Sequence, residues 1–94
     1  MIVVWSAEAQ QDRAAIWDYI AADNPVAAVE MDSLFSNAAA RLEAHPMIGR
    51  AGAIAGTLEL IPHANYHLVY EIDGDRVWVL ALVHSARLWP PISE

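Results

Sequence analysis

His84, Ser85 and Arg87 close a strongly apolar run, Val77 to Val83. A hydrophobic strand ending in His and Arg carries cationic groups to the rim of a sheet. His84 is there a candidate acid or base, and Arg87 a candidate for steadying charge that develops on a phosphate. Arg50 lies in a stretch with Gly49, Gly52 and Gly56, a loop that can present a side chain to a ligand. The same residues have a plain structural reading. His84 can cap a strand end, Arg87 can pair with an acidic residue on a helix, and Arg50 can brace its own loop.

Other groups carry less chemistry. Glu59 and Glu71 on neighbouring strands form a possible acid–base pair, although solvated carboxylates are common on sheets. His45, His63, His67 and His84 show no metal-ligand spacing, so no metal is expected. The three glycines of the loop do not lie between a strand and a helix, so they are no phosphate loop, and no cofactor is implied. Tyr66 and Tyr70 share one face of a strand and read as core with their hydroxyls reaching its edge.

The elements that must position these groups follow from periodicity. Ile2 to Trp5 is a short strand. Ser6 caps a first helix with Glu8 in its opening turn and Ala9, Ile16, Trp17 and Ile20 at helical spacing. Asn24 and Pro25 start a second helix that runs to about Ala44, with a stripe of Ala28, Met31, Leu34, Phe35, Ala38 and Leu42. So short a connection makes the two helices an antiparallel hairpin. His45 and Pro46 end the second helix. Thr57 to Ile61 alternates as a strand, Pro62 to Asn65 is a turn, and Tyr66 to Ile72 alternates again. Asp73, Gly74 and Asp75 form a tight hairpin loop before a strand from Val77 to Val83, apolar on both faces. Trp89, Pro90 and Pro91 should pack the tail back on the sheet. The pattern predicts one α+β domain over residues 1–94, ordered β-α-α-β-β-β, with an N-terminal helical hairpin packed on a mainly antiparallel four-stranded sheet.

Composition narrows the function classes. Twelve acidic residues face five arginines and no lysine, a formal net charge of −7. Nucleic-acid binding relies on Lys and Arg neutralising phosphates, so direct binding of RNA or DNA is disfavoured unless the arginines cluster. The chain has no cysteine, which excludes disulfides and thiol chemistry and fits a cytoplasmic protein. No apolar run is long enough to span a bilayer, and Met1 to Trp5 lacks the basic region of a signal peptide.

The order of motifs HPMIGR (His45–Arg50), GTLEL (Gly56–Leu60), YHLVYEI (Tyr66–Ile72) and VWVLALVHSARLWPP (Val77–Pro91) resembles the RelE/ParE superfamily, the toxins of bacterial type II toxin–antitoxin modules. The resemblance covers almost the whole chain and implies the same β-α-α-β-β-β architecture. It also implies a cognate antitoxin as partner and a growth-inhibiting activity of one of two kinds. RelE-like members are mRNA endoribonucleases acting in the ribosome. ParE-like members bind DNA gyrase without catalysis of their own. The family motif often places a basic residue at Arg50, which joins His84 and Arg87 as a catalytic candidate. Many similar chains have arginine where this one has Leu58, and leucine cannot donate to a phosphate. The missing arginine, the absent lysine and the acidic charge favour the ParE-like reading. An attenuated toxin, reduced to an antitoxin-binding module, is the third possibility. A ribonuclease would gather Arg50, Arg76 and Arg87 into one concave patch.

Overall fold

The computed structural model describes residues 1–87 and 89–90. The elements are β1 (Ile2–Trp5), α1 (Ala7–Ala21), α2 (Pro25–Ala44), β2 (Arg50–Ala51), β3 (Leu58–His63), β4 (Tyr66–Asp73) and β5 (Arg76–His84). They form one five-stranded sheet in the order β1-β5-β4-β3-β2. β1 runs parallel to β5, and the other pairs are antiparallel. The helical hairpin, the α+β class and the mainly antiparallel sheet match the sequence reading. The strand count does not: five strands replace the expected four. The extra one is β2, two residues long and set between glycines, where no alternation exists to be read.

Capping explains the helix starts. The Ser6 hydroxyl accepts from the Ala9 N–H at 3.1 Å and donates to the Leu80 carbonyl at 3.2 Å, so it caps α1 and ties it to β5. The Asn24 side chain accepts from the Ala27 N–H at 3.1 Å, with Pro25 in the first turn of α2. The helices are locked together by Arg13, whose guanidinium meets both Asp32 oxygens at 2.6 and 2.9 Å and stacks 4.7 Å from the Trp5 ring centroid.

The core lies between α2 and one face of the sheet. Phe35, Ala38 and Leu42 meet Leu60, Tyr66, Leu68, Tyr70, Val77, Val79 and Leu82, all buried. Phe35 meets the Tyr66 ring edge-on, with centroids 5.6 Å apart. Leu34, expected on the buried stripe, is exposed, as is Trp17 on α1. Among the described residues of α1 only Ala9 is fully buried, so α2 fills most of the core while α1 packs over β5 and α2.

Two irregularities set which side chains face which way. Opposite Val69 and Tyr70, β5 offers Ala81 and Val79, leaving Leu80 unpaired. This bulge shifts the alternation by one residue. Val77 and Val79 face the helices before it and Leu82 after it, while Ala81 and Val83 join Val69 on the outer face. The run Val77 to Val83 is therefore apolar on both faces. The Leu82 N–H beside the bulge donates to the Asp12 carboxylate at 3.1 Å. The second irregularity falls between Leu60 and His63 of β3 and contains Pro62. Proline lacks an N–H and is tolerated at such a bulge. The expected turn from Pro62 to Asn65 thus shrinks to Ala64 and Asn65, with β3 continuing to His63. Gly74, at φ +60°, opens the two-residue turn between β4 and β5 without steric cost.

Trp89 packs on Val69, Ala81 and Val83, covering the outer face as the sequence suggested. The similar expectation for Pro91 lies outside the described residues.

Candidate functional site

Strand register builds the site. Arg50 of β2 stands opposite Glu59 of β3, and Glu59 opposite Val69 of β4. His67 of β4 stands opposite Val83 of β5. Directly opposed residues share a face, so Arg50, Glu59 and His67 all lie on the outer face, away from the helices. β5 then ends at His84, and the following residues bring Arg87 and Trp89 alongside. These side chains line a cavity of about 310 Å³.

All three residues singled out from sequence, Arg50, His84 and Arg87, line this one cavity. Arg76 does not. It opens β5 at the opposite end, across from Asp73. Leu58 does not either: it stands opposite Ala51 and Tyr70 and packs against the core on the helix-facing side. Residue 58, where many similar chains have arginine, therefore does not converge with Arg50 and Arg87. A strand alternates its side chains, so the neighbour that faces the cavity is Glu59.

Glu59 is the central group and was undervalued in the sequence. It is 5% exposed. One carboxylate oxygen accepts from the Ala53 N–H at 3.0 Å. The other lies 3.6 Å from the Arg50 guanidinium and 3.4 Å from His67 Nδ1. Glu59 thus answers a good share of the positive charge that Arg50 brings. Glu71, its suggested partner, stands opposite Trp78 and does not line this cavity. Only register, which a single strand does not reveal, distinguishes Glu59 from an ordinary solvated sheet carboxylate.

The loop that carries Arg50 is held by Tyr70. Its hydroxyl donates to the Pro46 carbonyl at 2.7 Å and accepts from the Gly49 N–H at 3.0 Å. A β-carbon on Gly49 would sit 2.6 Å from that hydroxyl, so glycine is required by the close approach. Burial raises the Tyr70 pKa above the usual 10.0, and the Gly49 hydrogen bond offsets part of the rise. The Tyr66 phenol is also raised, first by burial and then by Tyr19.

His84 Nδ1 accepts from the Ala86 N–H at 3.0 Å, and the ring sits edge-on to Tyr66 with centroids 5.2 Å apart. The neutral ring then carries its proton on Nε2, free to donate. His84 and Arg87 also line a second cavity, of about 320 Å³, with Asp12, Tyr19 and Tyr66. They stand between the two hollows. A third and larger hollow, about 640 Å³, is an apolar groove along β1 and α1 with Val4, Trp5, Ala14 and Trp17 in its walls.

This α+β topology is shared with solved proteins of toxin–antitoxin systems. The fold aligns with the chromosomal ParDE toxin–antitoxin system of P. aeruginosa at a TM-score of 0.80, with 19% identity, covering 89% of this chain and 95% of the other. It aligns with the YoeB/ParE toxin of Agrobacterium tumefaciens at a TM-score of 0.64, with 17% identity, covering 89% and 98%. The sequence is 36% identical over 86 residues to toxin RelE2 of Caulobacter vibrioides, spanning 92% of this chain and 97% of that protein. Residues 3–89 match the family described as the ParE toxin of type II toxin–antitoxin systems, and the chain belongs to that family. It is a type II toxin of the RelE/ParE superfamily.

Proposed function

We propose that this toxin acts in the ParE-like manner, arresting growth by binding DNA gyrase without catalysis of its own. The carrying observation is the charge of the outer cavity. Arg50 is answered by buried Glu59, Arg76 lies at the far end of β5, and position 58 turns a leucine to the core. Cleaving RNA calls for concentrated cationic stabilisation of a phosphorane. A cavity with one of its two guanidiniums already paired, in a chain of net charge −7, supplies little of it.

In this reading the protein works in the cytoplasm and a cognate antitoxin silences it. The groove along β1 and α1 suits that partner: it is apolar, it exposes Trp17, and it borders the free edge of β1. No helix among the described residues is long and apolar enough to cross a membrane.

One observation favours a second reading, ribosome-dependent mRNA cleavage. Glu59, His67 and His84 line the same cavity and offer a base and an acid, beside Arg50 and Arg87. Inducible expression in a host lacking the antitoxin separates the two. The expected result is a DNA damage response with translated mRNA intact. Cut mRNA without DNA damage would favour the second reading, and normal growth would leave only an antitoxin-binding module.

A further inference from the structure

The outer cavity has an unusual balance of hydrogen-bonding groups. Its one carboxylate, Glu59, is engaged on both oxygens, by the Ala53 N–H on one side and by Arg50 and His67 on the other. Three of its other groups are donors that no described residue answers. Among the described residues, the Arg87 guanidinium makes no ion pair or hydrogen bond. The neutral His84 ring, with Nδ1 occupied by the Ala86 N–H, keeps an Nε2 proton to give. Trp89, also in the wall, has a buried indole N–H without an acceptor. Unanswered donors gathered in one hollow, one of them a guanidinium, suit an anion.

Charge limits which anion. With both histidines neutral, two guanidiniums and one carboxylate leave a single positive charge in the cavity. That matches one carboxylate. A nucleic-acid strand brings a phosphate charge at every nucleotide and needs a run of cations. Here Arg13 is held by Asp32 and Arg76 lies at the other end of β5. We propose that the outer cavity is a carboxylate-binding site that takes one Asp or Glu side chain from the protein partner, with Arg87 as its principal donor. A guanidinium meets a carboxylate through two parallel N–H donors, which fixes orientation as well as charge. This inference rests on the protein-binding reading above and specifies what the partner presents.

Glu59 gives the proposal a second handle. It competes with an incoming carboxylate for Arg50, so removing its charge should strengthen binding, while removing the Arg87 charge should weaken it. The probe is acetyl-glutamate amide, with acetyl-glutamine amide as its neutral counterpart and a short single-stranded RNA as the rival. Titrations are followed through the indole N–H of Trp89 and the ring of His84 by NMR on the intact chain. The acidic amide should give saturable shifts with an affinity in the millimolar range, about what a single charged contact supplies, and the glutamine amide none. Arg87→Gln should weaken binding about tenfold, and Glu59→Gln, which keeps an acceptor for the Ala53 N–H, should tighten it about threefold or more. Folding of both variants is checked by their backbone spectra. Equal shifts from the two amides, changes of the same sign in both variants, or tighter binding of the RNA would each overturn the proposal. Gyrase inhibition is scored separately on the unaltered chain. If the titrations behave as stated and gyrase is untouched, the carboxylate site stands and the target assignment falls.

Discussion

The two faces of this sheet are made by alternate residues of the same strands, yet they do different work. On β3, Leu58 and Leu60 face the helices and Glu59 faces away; on β4, Leu68 and Tyr70 face the helices and His67 faces away. The inner face is closed and apolar. The outer face is only partly covered, by Trp89 on Val69, Ala81 and Val83, and the rest is left as a polar hollow. The difference teaches how a chain of 94 residues separates stability from function. Burial on one face supplies the folding energy, which frees the other face to hold charges that would cost stability in a core.

Neighbouring substitutions on one strand test that division. Leu68→Ala should destabilise the fold by about 2–5 kcal/mol, as large-to-small changes in a packed core do. His67→Ala, one residue earlier, should cost about 1 kcal/mol or less, because Arg50 and the Ala53 N–H still serve Glu59. Urea denaturation of both variants gives the contrast. Similar losses would mean that the outer face is also load for the fold.

Position 58 sharpens the same comparison. Many similar chains carry an arginine there, and at the rim beside Arg50 and Arg87 it would add a donor. Leu58 instead packs on the helix-facing side. Leu58→Arg should therefore cost about 1–3 kcal/mol, the usual penalty for an unpaired charge against apolar packing. It should not add a donor to the outer cavity. Soluble yield and growth inhibition are scored together. A variant that stays fully stable and begins to cut mRNA would reverse the assignment of faces.

The smallest effect is one of pH. Tyr70 and Tyr66 both have raised phenol pKa values, caused first by burial. The folded state therefore holds these protons more tightly than the unfolded chain. Their contribution is fully present below the unfolded value of about 10 and is lost as pH rises through the raised folded values. Denaturation midpoints should fall with pH above about 10. Tyr70→Phe should flatten that fall, while lowering stability at neutral pH through the loss of the Pro46 and Gly49 hydrogen bonds. A midpoint independent of pH in this range would contradict the burial of these hydroxyls.

Much of this was legible in the sequence because it rests on local signals. Ser6, Asn24 and Pro25 announce their helices through side chains that serve the nearest orphan N–H groups. Gly74 marks its turn through a φ that other residues avoid. Arg50, His84 and Arg87 were nameable from their types and their places at strand and loop ends, and they do meet in one cavity. What escaped depends on pairing between strands. The two-residue β2, the bulge at Leu80 and the strand continuing through Pro62 have no periodicity of their own. The importance of Glu59 and the inward turn of Leu58 follow from register, which a strand acquires only from its neighbours. The Arg13–Asp32 bridge joins two helices whose relative rotation the sequence does not state.

We propose that this toxin acts on a protein and not on RNA. The direct measurement uses the purified chain, freed of antitoxin, in two parallel reactions: supercoiling of relaxed plasmid by DNA gyrase, and integrity of mRNA on translating ribosomes. The expected result is saturable loss of supercoiling with the mRNA intact. Cleaved mRNA with supercoiling unaffected would contradict it.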